Sequence, residues 1–166
     1  AVVAGDALLT SGSNDHGQCG RDGRLSILQA VTALETTVVE TVVCGDDFSC
    51  VALKDQRLFS FGRNDRHQLG LGGEDTESHY RPSQVRLEDK KVVQLRAGKQ
   101  HVLALSLDAL VYSWGDNHAG QRGDGSFVAG GTPSVVQTLI GRPICQIAAG
   151  AQHCVALTPH GAVYGE

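Results

Sequence analysis

The sequence predicts an all-β fold, a β-propeller of four-stranded antiparallel blades with about three repeats present, and three observations carry that expectation. Short runs rich in Val and Leu are cut at regular intervals by Gly, Asp and Asn. Two independent series of glycines share one long period. Aromatic residues make up only 5% of the 166 residues while Gly contributes 21, so Val, Leu, Ile and Ala must fill the core and Gly must make the turns.

The first glycine series, Gly45, Gly98 and Gly150, steps by 53 and 52; the second, Gly12, Gly62 and Gly115, steps by 50 and 53. Repeats of that length with four short strands each are propeller blades rather than helical solenoid units. The chain opens late in a unit, because Asp6 through Gly12 matches Gln56 through Gly62. Residues 25–37, LSILQAVTALETT, have an apolar spacing that a helix could share, but their position matches the fourth-strand connection of the other units, and strand plus loop is expected. In the third unit, VVQLRAG, HVLALSL and LVYSWG read as strands, and TPSVVQTLI as a fourth whose Pro133 suits a strand start or sheet edge. Ala162, Val163 and Tyr164 match Leu110, Val111 and Tyr112, so the chain stops inside a unit. The expected segments are 1–37 (partial), 38–91, 92–143 and 144–166 (partial). With no Met, the chain is expected to be a processed chain, an engineered segment or part of something longer.

Composition narrows the classes of partner. A hydrophobic share of 41% fills a core and argues against disorder. A net charge of −4 and a pI near 5.9 demote nucleic acid as the main ligand. No stretch approaches the ~18 apolar residues of a spanning helix, and the N-terminus lacks a basic signal-peptide region, so no membrane role is expected. Cys19, Cys44, Cys50, Cys145 and Cys154 are odd in number and lack C-x-x-C spacing; reduced, mostly buried thiols in the cytoplasm or nucleus are expected.

The string A-G-x-x-H-x-x-A-L, at 97–105 and 149–157, resembles the repeat of the regulator of chromosome condensation family. So does V-Y-S-W-G-x-N-x-x-G-Q-x-G at 111–123, with copies of its second half at 12–20 and 62–70. The resemblance implies a seven-bladed propeller and covers nearly the whole chain. It implies no single function, since the family includes exchange factors for Ran-like GTPases, modules of HECT-type ubiquitin ligases, a plant UV-B photoreceptor and scaffolds. This sequence departs from the pattern at Phe48, which takes the slot of His101 and His153, at His67, which takes the slot of Gly17 and Gly120, and at Arg122, where the family usually has Leu. One extra residue between Gly45 and Leu53, compared with Gly98 to Leu105, predicts a local bulge or register shift in that unit.

No pattern points to catalysis, a metal or a cofactor. Of the seven histidines, His101 and His153 share a repeat slot and are expected at strand starts, bonded to backbone of the neighbouring loop; none stands in metal-ligand spacing. The strings at 70–75 and 123–126 fit no phosphate-binding loop and are expected to be tight turns, as is Arg122-Gly123-Asp124. There is no G-x-S-x-G, and the single Trp114 cannot form a cluster of coupled indoles. The most individual stretch is 73–83, whose Glu74, Asp75, Glu77, His79, Tyr80 and Arg81 combine charges and an aromatic ring on a loop, and it is the expected protein contact. The leading expectation is a non-catalytic protein-binding propeller, with exchange-factor action on a small Ran-like GTPase as its named form. A substrate-recruiting or regulatory module of a ubiquitin ligase or other scaffold is the rival, and an enzyme a weak third. Self-association or pairing with further blades is expected from exposed edges.

Overall fold

The computed structural model describes residues 1–23, 25–87 and 90–165. It is all-β, with four antiparallel sheets and two short 3-10 turns, Thr32–Leu34 and Gln137–Leu139. The first sheet holds β1 (Val2–Ala4), β2 (Ala7–Gly12) and β3 (Leu25–Ala30). The second holds β4 (Val39–Cys44), β5 (Phe48–Leu53), β6 (Leu58–Gly62) and β7 (His79–Val85). The third holds β8 (Val92–Ala97), β9 (His101–Ser106), β10 (Val111–Gly115) and β11 (Gly130–Val135), and the fourth β12 (Gln146–Ala149), β13 (Cys154–Leu157) and β14 (Val163–Gly165). Each sheet is a meander in chain order, which is the blade of a propeller. Among the described residues, the first blade has no counterpart of β4 and the fourth none of β7.

Blade stacking explains why the middle strands read as unbroken apolar runs. β5 and β9 are buried at every position, because each is covered on both faces by a neighbouring blade. Alternate residues feed alternate interfaces. Phe48, Cys50 and Ala52 pack toward the third blade with Val102, Ala104, Tyr112 and Trp114. Val51 and Leu53 turn the other way to meet Leu8, Val31 and Leu34 of the first blade. Leu103 and Leu105 likewise face Ile144, Ile147 and Ala156. Residues 25–37 form β3 and a 3-10 turn, strand plus loop, with Val31 and Leu34 buried at the blade interface. Pro133 lies in β11, an edge strand.

The register corrects one expectation. Phe48 pairs with Gly62 and Ala52 with Leu58, as His101 pairs with Gly115 and Leu105 with Val111, so the two central hairpins share one unbroken register. The structural partner of Leu105 is therefore Ala52, not Leu53, and no bulge sits between β5 and β6. The inner strands β4 and β8 carry register shifts, between Val39 and Thr41 and between Val92 and Gln94, and the first three blades share another, between Thr10 and Gly12, Ser60 and Gly62, and Ser113 and Gly115. There Gly12, Gly62 and Gly115 have φ of 109, 112 and 98°, a region closed to most side chains, and this accounts for that glycine series.

Candidate protein-interaction face

The loops joining β4 to β5 and β6 to β7 leave one end of the second blade, and their counterparts leave the same end of the others. The inner loops are linked from blade to blade by backbone hydrogen bonds: the Asp46 N–H donates to the Lys99 carbonyl at 2.8 Å, and the Lys99 N–H to the Ala151 carbonyl at 3.1 Å. Gly45, Gly98 and Gly150 start these loops, and in each the ring three residues later folds back onto the glycine. A Cβ at Gly98 would stand 2.1 Å from Cε1 of His101 and 2.5 Å from the Gly150 carbonyl; Phe48 and His153 cover Gly45 and Gly150 in the same way. The repeated Gly-x-x-(His or Phe) is thus one packing unit. His101 starts β9 as expected, but its ring is buried and neither nitrogen makes a hydrogen bond of normal geometry. Desolvation lowers its pKa to about 4, with nearby Asp116 opposing the shift and the His153 main chain favouring the protonated ring only weakly. His153 is exposed, so the expected backbone bonding of this pair is replaced by stacking on glycine.

The outer loops are organised by the repeated Asn and Gln. Asn14, Asn64 and Asn117 are buried, and each Oδ1 accepts the N–H five residues on, from Cys19 at 2.8 Å, Leu69 at 3.1 Å and Arg122 at 2.9 Å. Their Nδ2 atoms donate across the loop to the carbonyls of Gly23, Asp75 and Ser126. Gln18, Gln68 and Gln121 accept the N–H two residues back. Backbone groups that the loop would otherwise leave unpaired are therefore satisfied internally, and the residues between these anchors are free to vary.

The residues of 73–83 are brought together, but only 73–78 are loop: His79, Tyr80 and Arg81 open β7, which corrects the expectation of a loop throughout, and the start of that strand docks on the first blade. Asp75 accepts from His79 Nε2 at 2.8 Å and from the Glu77 N–H at 3.0 Å, and His79 Nδ1 lies 2.8 Å from Ser83 Oγ, a chain that staples the loop to β7. Burial opposes ionisation of Asp75, but those hydrogen bonds hold its carboxyl below the usual range. The Tyr80 hydroxyl donates to the Asp15 carbonyl at 2.6 Å, and Arg81 reaches Asp22 at 3.2 Å. Gly17 makes the approach possible, since its Cβ would stand 2.4 Å from the Tyr80 Cα. Glu74, Glu77, Tyr80 and Arg81 remain exposed on the resulting ridge.

The third blade differs from the second in its loop. Asp116 is buried and accepts from Gln121 Nε2 at 3.0 Å and from His118, whose ring stays half exposed. Arg122 and Asp124 pair at 3.2 Å with the guanidinium buried, so Arg122-Gly123-Asp124 folds inward, as a turn. Of the cysteines, only Cys19 and Cys50 are buried, and burial pushes the Cys50 thiol up to about 12; Cys44 and Cys145 are exposed, which corrects the expectation of mostly buried thiols. All five are free. Among the described residues no group of His, Cys, Asp and Glu could hold a metal ion, and no helix is long and apolar enough to cross a membrane.

Four stacked meanders with loops presented at one end define a repeat β-propeller whose variable loops are carried on repeated anchors. The model described as "Regulator of chromosome condensation (RCC1) repeat" matches residues 55–105 and 108–157, a second of the same description matches 39–68 and 92–121, and the chain belongs to this family. It is 39% identical over 168 residues to the human probable E3 ubiquitin-protein ligase HERC6, covering 99% of this chain and 16% of that protein. Human E3 ubiquitin-protein ligase HERC2 is 34% identical over 91% of this chain and 3% of its own length, and human X-linked retinitis pigmentosa GTPase regulator 31% identical over 89% and 14%. The chain thus spans no more than 16% of these relatives. Among solved structures, human WBSCR16 superposes with a TM-score of 0.82 at 21% identity, over 96% of this chain and 42% of that one. Yeast RCC1 (Prp20), in its complex with Kap60, gives 0.77 at 21% identity, over 96% and 39%.

Proposed function

We propose that this chain is a non-catalytic propeller that recruits a protein partner on its loop face, as the binding module of a larger protein of the ubiquitin-ligase kind. The observation that carries the reading is the division of labour in the loops: the Asn, Gln and Gly anchors repeat, while the residues they hold out differ from blade to blade. Its similarity to several relatives named as E3 ligases supports the ligase setting, with chemistry carried by other domains. The five free thiols, two of them exposed, support a reducing intracellular compartment. The ridge of Glu74, Glu77, Tyr80 and Arg81 is the proposed contact; Asp75 and His79 support it from beneath. Replacing Tyr80 and Arg81 together with Ala is expected to weaken partner capture in a pull-down by the full-length protein, and unchanged capture removes the ridge from the proposal.

The second reading is nucleotide exchange on a small Ran-like GTPase, which the similarity to a relative named as a GTPase regulator favours. Exchange needs only loop contacts that prefer the nucleotide-free GTPase. Release of a fluorescent nucleotide from the loaded GTPase separates the readings: acceleration by the full-length protein supports exchange, and no acceleration leaves recruitment.

A further inference from the structure

On the recruiting ridge, the Tyr80 hydroxyl closes a crossing between two blades. Tyr80 belongs to the second blade, which has the first and third blades on either side of it, and β7 is the outer edge of its sheet. Gly62 pairs with His79 and Ser60 with Ser83, so Tyr80, Arg81 and Pro82 together stand opposite Phe61 alone and bulge from the ladder. A bulge on an edge strand offers an enzyme an extended segment with no outer ladder to break. The Tyr80 ring is 42% exposed, and its Oη donates at the surface to the Asp15 carbonyl at 2.6 Å. The other two tyrosines of the chain are placed differently: Tyr112 is buried, and the Tyr164 hydroxyl accepts from Arg142 at 2.7 Å.

A phosphoryl group on that oxygen acts on both ties of the crossing. The hydroxyl loses its proton, and phosphate oxygens then face the Asp15 carbonyl, which can only accept. The second tie is Arg81 to Asp22 at 3.2 Å, with the two side chains 77% and 76% exposed. A phosphate carries roughly −1.5 to −2 of charge at neutral pH and takes Arg in preference to a solvated carboxylate. Arg81 follows Tyr80 directly, so the phosphate draws it from Asp22 and the second tie is lost with the first. The main chains leave no slack for the added bulk, since a Cβ at Gly17 would already stand 2.4 Å from the Tyr80 Cα. Loss of the surface hydrogen bond alone is a small change; added charge and volume are what open the crossing. Glu74, Asp75 and Glu77 precede Tyr80 in the chain, which suits a modifying enzyme with a basic substrate cleft.

We propose that Tyr80 is a phosphorylation site for a protein tyrosine kinase with a basic substrate cleft, and that the phosphate opens the crossing of the first and second blades and switches the recruiting ridge off. In the reaction Tyr80 Oη attacks the γ-phosphorus of ATP, the bond from that phosphorus to the oxygen of the departing ADP breaks, and the hydroxyl proton passes to the kinase's base. The effect on recruitment rests on the reading above; the site and the opening do not. The test treats the folded full-length protein with ATP and a panel of tyrosine kinase catalytic domains and maps phosphate by mass spectrometry. Treated and untreated forms are then compared by hydrogen exchange and by affinity for the protein recovered in the pull-down. Expected are phosphate at Tyr80 and none at buried Tyr112, faster exchange in 14–22 and 73–81, and affinity weaker by at least about tenfold. Tyr80→Phe is expected to take no phosphate there and to keep the crossing closed under the same treatment. Phosphate absent from Tyr80 with every kinase, or arriving no faster than at Tyr112, overturns the site. Phosphate at Tyr80 with unchanged exchange in both segments overturns the opening. Opening without loss of affinity overturns the switch while recruitment stands, and an untreated protein that captures nothing overturns recruitment while site and opening stand.

Discussion

A ring folded onto a glycine three residues earlier is the smallest unit that this architecture repeats. The crowding at Gly98 is steric, against both His101 and the carbonyl of Gly150, so Gly98→Ala has to move one blade relative to the next. A destabilisation of about 2–3 kcal/mol is expected, read as a lower urea midpoint, as for overpacked cores. The two ring types at the slot make a second prediction. His101 titrates near 4 when folded against an ordinary value of 6.5, so between those pH values the unfolded chain holds the extra proton. Its contribution is complete above about pH 6.5 and is lost as pH falls toward 4, on the order of 3 kcal/mol in all. His101→Phe, which copies Phe48 of the second blade, is expected to fold and to flatten that part of the stability profile. A slope identical to that of the parent would show that His101 is not its source. The repeat made the slot visible in the sequence; that one His is sealed and the other open was not, because burial depends on which blade lies alongside.

At the scale of elements, the loops matter through what they cross to. Residues 73–83 stood out by residue type, yet nothing local could reveal that the Tyr80 hydroxyl ends on the carbonyl of Asp15, 65 residues away. Gly17→Ala drives a Cβ into the Tyr80 main chain at a position whose φ is 85°, so the crossing is expected to open, with protease cleavage appearing near residues 14–22 and 73–81. Tyr80→Phe, which removes only a solvent-exposed hydrogen bond, is expected to cost less than about 1 kcal/mol. The register shift expected in the second blade is there, between Val39 and Thr41 on β4, but it recurs in the third between Val92 and Gln94, so the residue count did not set that unit apart. Leucines were matched by spacing, whereas strands align by hydrogen-bond register, and in that register Ala52 occupies the place of Leu105. The departure at Arg122 was legible as an anomaly, but its meaning needed Val128 and Ser134, which the fold returns to its side.

For the whole molecule, stability should be greatest in the middle. β5, β6, β9 and β10 lie between neighbouring blades, while among the described residues the first and last sheets each have three strands and expose Val2, Ile27, Leu28 and Val163. Hydrogen exchange is expected to be slowest in those four strands and fastest in β1, β3 and β14. The same exposed apolar groups predict concentration-dependent association in sedimentation velocity; a single species across a wide concentration range would contradict it. The sequence by itself determined the all-β class, the blade and its period, because those rest on local alternation and on glycines that the backbone requires at each turn. Only the tertiary structure decided which face of each strand meets which neighbour, which histidine and which thiols are sealed from water, and that the Arg122 guanidinium is buried against Val128, Ser134 and Asp124. Those properties arise from contacts between residues far apart in the chain, and no local pattern encodes them.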